Sequence, residues 1–225
     1  MSTVGQEAIR QDTVRQDIVS AAHELAALGL SPGRTGNVSV RIGDEVHIAP
    51  TGCDLSRLTV DQLAVTDLGG RTLSGPKPSK ELPLHLAFYR RSDSCTAVVH
   101  LHSRQATAAS CLPPWSPWSA IGPISPYFVM RVGQAPLVPY APPGDPRQAA
   151  DLLALELPFR AALLQNHGPV VSGRTVREAV EAAVEIEEAS ALTLLTRATD
   201  PHLLSPADAR ELADRYGSPW TAGAR

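Results

Sequence analysis

The segment Val98-Val99-His100-Leu101-His102-Ser103 constrains the chain more than any other. Its apolar run reads as a buried strand, yet it carries two imidazoles two positions apart. Successive strand side chains point to opposite faces, so His100 and His102 share one face while Val99, Leu101 and Ser103 take the other. Imidazole is the commonest protein ligand for zinc and related metals, and a catalytic zinc takes three protein ligands and keeps one position open. A single strand histidine is most often hydrogen-bonded in a core. Two on one face bring a metal pair into equal contention.

A third ligand has to come from a distant segment where the backbone turns. His167 in Gln165-Asn166-His167-Gly168 meets that description, because Gly168 permits a tight turn and Leu163-Leu164 and Val170-Val171 anchor both sides in the core. The remaining histidines lack such placement. His23 reads as a helix-surface residue, His85 as a helix residue and His47 as a strand residue facing solvent; His202 has no distinguishing context.

The patterning predicts an opening helix from about Gln6 to Leu28, ended by Gly29, and then short strands around Gly43-Asp44 and around Gly69-Gly70. Leu82, His85, Leu86 and Tyr89 fall at helical spacing, with Ser79 as the expected cap. Ser103 is placed to cap a short helix through Cys111. Residues 112–144 read as a long ordered loop with a strand near Ala135 to Tyr140. Asp145-Pro146 starts another helix, and Val176 to Leu195 form a long one whose glutamates Glu178, Glu181, Glu185 and Glu188 mark a solvated face. Mixed strands and helices at these spacings predict a single domain over residues 1–225, an α/β layered sandwich with a largely antiparallel or mixed sheet.

The carboxylate candidate is Glu81 in Pro78-Ser79-Lys80-Glu81, at the start of a predicted helix. A favourable place by the helix dipole is the plain alternative. Ser79 and the backbone N–H groups there make an anion site, and Lys80 adds a cation. The loops Thr35-Gly36-Asn37 and Pro50-Thr51-Gly52 offer further hydroxyl, amide and backbone donors near strand ends. Together these resemble a phosphate cradle.

With 20 basic residues against 23 acidic ones, the chain has a formal net charge of −3 and no general attraction for nucleic acid or anionic lipid. Neither a spanning apolar run nor a signal-like apolar core is evident, so the expected location is the cytoplasm. The cysteines Cys53, Cys95 and Cys111 are odd in number and widely spaced. They read as buried free thiols rather than a disulfide framework.

The ordered set RTGNVSVR, APTGCD, PKPSKE, VVHLHS and LLQNHGPVV, spread over roughly Gln6 to Leu195, resembles the class II aldolase/adducin family. That resemblance implies a three-layer α/β/α sandwich around a mixed, mostly antiparallel sheet, assembled as a homotetramer. It implies that His100, His102 and His167 bind a divalent metal, most readily Zn2+, with Mn2+, Co2+ or Fe2+ as alternatives. Glu81 is implied as a fourth ligand or acid/base. Asn37, Thr51, Gly52 and Ser79 are implied as phosphate contacts of a small phosphorylated sugar or sugar acid. Lys80 stands where aldolases of the family commonly have a second serine.

PSKE together with ISPYFVMRVGQAPLVPYAPPGDP resembles the 3-oxo-tetronate 4-phosphate decarboxylase branch, in which Tyr127 takes the place of a proton-donating tyrosine and Phe128 replaces a tyrosine often found there. The implied reaction is loss of carbon dioxide through a metal-bound enediolate to give dihydroxyacetone phosphate. Lys80 would orient the phosphate or the carboxylate. The rival readings are a fuculose-phosphate-type aldolase or pentulose-phosphate 4-epimerase, a non-catalytic adducin-like interaction domain, and a non-haem iron oxygenase.

Overall fold

The structure is a computed structural model, and its described residues are 3–221. Helix α1 covers Thr3–Ala27. Two hairpins follow, β1 (Asn37–Ile42) with β2 (Glu45–Ile48), and β3 (Ala64–Asp67) with β4 (Thr72–Ser74). The remaining elements are α2 (Leu82–Arg91), β5 (Ala97–His100), α3 (Arg104–Ala109), α4 (Pro126–Arg131), β6 (Leu137–Val138), α5 (Pro146–Ala154), β7 (Ala161–Leu164), β8 (Gly168–Gly173), α6 (Val176–Thr196) and α7 (Pro206–Tyr216).

All eight strands join one sheet in the order β4-β3-β2-β1-β5-β8-β7-β6, antiparallel throughout except for the β6–β7 pair. Alternation along the strands sends side chains into two cores. In β5, Ala97 and Val99 pack under α1, α3, α4, α6 and α7, while Val98 joins the core under α2 and α5. This is the expected three-layer sandwich. Each sheet face is covered, which is why the central strands are apolar on both sides.

Several local expectations need correction. Strand β5 stops at His100, so His102 is not on it. Asn37, the first residue of β1, is the partner of His100, and beyond it β1 offers no further ladder. His47 is buried rather than solvent-facing, because β2 is an interior strand and α1 covers that face. Alternation tells which residues share a face, not whether a helix lies over it. Burial, with the Arg15 charge nearby, pushes the His47 pKa down.

Glu81, not Ser79, takes the cap position of α2; the Ser79 hydroxyl accepts the Glu81 N–H two residues on. The proline-rich segment contains α4, started by Ser125 accepting the Phe128 N–H, and α7 is an additional helix beyond those the patterning predicts. The cysteines are free, but only Cys95 is buried; Cys53 is half-buried and Cys111 exposed.

Candidate active site

The site forms where three strand ends meet. His100 closes β5 opposite Asn37 of β1 and Val170 of β8. The β7–β8 turn carries His167, and Asn166 beside it adopts a φ of 58°. Gly168 makes that turn possible, since at φ 141° a Cβ would run into the Leu101 carbonyl oxygen. The turn therefore lies directly on the segment that carries His102. The N-terminal end of α2 brings Glu81 in from the helical layer.

Four ligand atoms, one each from Glu81, His100, His102 and His167, lie within 4.8 Å of one another. His167 Nε2 stands 3.1 Å from His102 Nε2 and 3.1 Å from Glu81 Oε1, and His100 Nε2 stands 3.4 Å from Glu81 Oε2. Two nitrogens bound tetrahedrally at about 2.0–2.1 Å to one zinc sit about 3.4 Å apart, so the spacing suits a shared cation. Two atoms make the same point. Glu81 Oε1 and His100 Nε2 are buried without a hydrogen-bond partner, an arrangement that costs free energy unless something binds them.

The protons agree with this. His100 Nδ1 lies 2.9 Å from the Pro169 carbonyl oxygen, which can only accept, so Nδ1 carries the hydrogen and, in the neutral ring, Nε2 is the nitrogen that presents a lone pair to the cluster. Burial first, and then the neighbouring His100 and His167, lower the His102 pKa to about 4, which keeps that ring neutral and able to ligate. Burial pushes the Glu81 carboxyl up, but in the metal-free site attraction from the protonated forms of His100 and His167 outweighs it and holds the group well below the usual carboxylate range; a cation would take the place of those protons.

Of the anion-binding candidates, Ser79, Lys80 and Asn37 sit beside these ligands, and the Thr51-Gly52 loop is tied to them through the Ser79 loop. Ser79 N donates to Ala49 O at 3.3 Å and Thr51 N to Lys77 O at 3.2 Å, which laces the Pro50-Thr51-Gly52 loop to the Pro78-Ser79-Lys80 loop. Thr51 and Gly52 are exposed and share an open pocket with Arg34 and Arg57. Arg34 anchors there through its Nε, which donates to Gly52 O at 2.6 Å. Lys80 is close enough for its charge to lower the His102 pKa. Asn37 Nδ2 donates to Glu81 Oε2 at 2.9 Å. Tyr127 is not part of the ligand cluster; it is exposed on α4, which packs on α6 and α7, with the Arg131 guanidinium 6.0 Å from its ring.

Residues 16–194 match the family model described as the Class II Aldolase and Adducin N-terminal domain. The chain belongs to this family. It is 42% identical to a 3-oxo-tetronate 4-phosphate decarboxylase of Haemophilus influenzae over 83% of this chain and 90% of that one. It is 34% identical to an L-fuculose phosphate aldolase of Escherichia coli over 86% of this chain and 88% of that one. The crystal structure of YgbL from Klebsiella pneumoniae superposes with a TM-score of 0.85 at 40% identity, covering 89% of this chain and 98% of that one. Class II aldolases are divalent-metal dependent, and Glu81, His100, His102 and His167 would hold the ion here. Among the described residues, no helix is long and apolar enough to cross a membrane.

Two groups of residues around this class II aldolase site carry no signal in the sequence patterning. One is Glu187 of α6, buried on a helix where, of the glutamates expected to face solvent, only Glu188 is exposed and Glu178, Glu181 and Glu185 are half-buried. It accepts from Ser103 Oγ at 2.7 Å, Gln105 N at 2.8 Å and Ala106 N at 2.8 Å, and so caps α3 immediately after His102. Ser103, expected to cap that helix itself, instead donates to the glutamate. Glu187→Ala leaves buried amides unpaired and is expected to cost about 3 kcal/mol. That corresponds to roughly 6–12 °C in melting temperature for a chain of this size, readable by calorimetry; an unchanged melting temperature would refute the cap.

The other group is His85, with Ser39 and Tyr89 behind it. His85 is fully buried, and burial above all, with His100 adding to it and Glu81 opposing, lowers its pKa to about 3 from 6.5. The unfolded chain binds a proton below pH 6.5 that the folded chain refuses until about pH 3. Stability of the metal-free protein should therefore fall as pH drops through that window, this residue alone shifting the folding equilibrium about tenfold per pH unit. Urea unfolding at about pH 6.5 and pH 5 measures it. His85→Gln should be less pH-sensitive by that amount; equal slopes would contradict the assignment.

Proposed function

We propose that the protein is a divalent-metal-dependent lyase that decarboxylates 3-oxo-tetronate 4-phosphate to dihydroxyacetone phosphate and carbon dioxide. The observation that carries this reading is the convergence of buried His100, His167 and Glu81 with half-buried His102 beside a pair of loops rich in donors, in a chain whose relatives include enzymes named for that reaction. Three imidazoles and a carboxylate suit zinc, and also manganese, cobalt or ferrous iron. A bound divalent cation would draw charge from the substrate's C2 and C3 oxygens as carbon dioxide leaves.

The side chains supply the rest. Thr51, the Gly52 backbone and Ser79 hold the phosphate, Lys80 orients the phosphate or the departing carboxylate, and the second amide hydrogen of Asn37 is available to a substrate oxygen. C2 gains one proton as carbon dioxide leaves; Glu81 delivers it after taking it up from solvent, with Tyr127 as the alternative donor. The same reading makes the protein a cytoplasmic homotetramer, which light scattering of the purified protein tests.

The deciding experiment supplies 3-oxo-tetronate 4-phosphate with zinc, manganese or iron, and follows both products. Carbon dioxide and dihydroxyacetone phosphate in equal amounts support the proposal. Cleavage of fuculose 1-phosphate to an aldehyde, with no carbon dioxide from the oxo-acid, points to the aldolase reading instead. A protein that takes up no metal and turns over neither substrate would be an interaction domain.

A further inference from the structure

Helix α2 lies along strand β1 so that their polar residues alternate. Glu81, His85 and Tyr89 recur every four residues on the helix, a rise of about 6 Å. Asn37 and Ser39 recur every two on the strand, about 6.7 Å. The near-equal steps let the two sets interdigitate in the order Glu81, Asn37, His85, Ser39, Tyr89, each residue 5% exposed or less.

Every hydrogen in this row can be placed. Glu81, when ionised, only accepts, so the Asn37 amide turns its Nδ2 to Glu81 Oε2 and its Oδ1 to His85 Nε2. An amide oxygen also only accepts, so His85 Nε2 carries a hydrogen. The buried ring is neutral, so its Nδ1 is bare and accepts from Ser39 Oγ at 2.7 Å. The Ser39 oxygen in turn accepts from the Tyr89 hydroxyl at 2.6 Å. All the donors point one way, toward the carboxylate.

We propose that His85 is a positioning residue, which locks the Asn37 amide and thereby aims the Glu81 carboxylate at the three-histidine cluster. The inference rests on the metal-site reading. An amide free to rotate could turn its oxygen toward Glu81 and repel it. With His85 donating to that oxygen, and Ser39 and Tyr89 fixing the His85 ring, only one orientation satisfies every group. The bond to Asn37 occupies Oε2 from the side, and Oε1 is the oxygen left with no hydrogen bond.

The test is a double-mutant cycle read by zinc affinity, using competition with a chromophoric chelator on the full-length protein, with circular dichroism to confirm folding. Tight binding of one zinc per wild-type chain is the control; its absence would overturn the metal reading itself, and this inference with it. His85→Phe should weaken zinc about 10- to 100-fold. In a Glu81→Gln background the same change should have less than roughly a twofold effect, because the row acts through the carboxylate alone. His85→Gln, which keeps a donor toward Asn37, should restore most of the affinity.

An equal loss in both backgrounds would show that His85 merely supports the fold near the site and would overturn the proposal. So would folded His85→Phe protein with wild-type affinity. If His85→Phe does not fold, Ser39→Ala, which releases the far side of the ring, carries the same comparison. Its loss of affinity should then be seen in the protein that retains Glu81 and vanish in the E81Q background. A loss that persists in E81Q, or no loss at all, overturns the inference.

Discussion

His102→Ala is expected to strip the protein of its cation and to lower kcat/KM by about 1000-fold or more. A metal ion stabilises transition-state charge by several kcal/mol, and each 1.36 kcal/mol is about a factor of ten in rate. His102 is the best of the three ligands to remove, because it is only partly buried and stands outside the β5 ladder, whereas His100 is fully enclosed in the sheet. Loss of metal can thus be separated from loss of fold. Elemental analysis should fall from one equivalent per chain to near none while the circular dichroism spectrum is kept. A variant that retains full metal and more than about a tenth of the activity would remove His102 from the site.

Glu81→Gln is expected to lower kcat by about 100- to 10,000-fold at saturating metal, the range attributed to a positioned acid or base. Glutamine keeps the shape of the side chain and an acceptor for the Asn37 N–H, so the three histidines should still hold a cation, though more weakly. The separation matters. If kcat survives within about threefold while metal affinity drops, Glu81 is only a ligand and another group, with Tyr127 first among them, moves the proton. Tyr127→Phe then becomes the informative variant, since it removes one hydroxyl from an exposed ring.

The ligand-bearing segments were legible because each combines a chemical type with a local backbone requirement. Two imidazoles two residues apart at the end of an apolar run, a histidine before a glycine in a turn between two such runs, and a glutamate at a helix start are all short-range patterns. The layered α/β class followed from the same patterns, and its three-layer form from the resemblance they support. Even so, the geometry behind one of them differs from its pattern. His100 and His102 meet because the chain leaves the sheet after His100 and Gly168 lets the opposite turn approach, not because both sit on one strand.

What could not be read locally was every contact made between layers. Glu187 lies on a helix of many glutamates, and nothing in its spacing says that it, rather than a neighbour, turns inward to the amides of α3. His47 and His85 have the patterning of ordinary strand and helix residues, yet both are buried. The sequence by itself determined which residue types stand at strand ends and helix starts, since those depend on the near neighbours along the chain. Only the tertiary structure decided how α2 lies along β1, and hence that Asn37, His85, Ser39 and Tyr89 form one row behind Glu81. That choice depends on how two covered faces pack together, and its energy comes from residues dozens of positions apart.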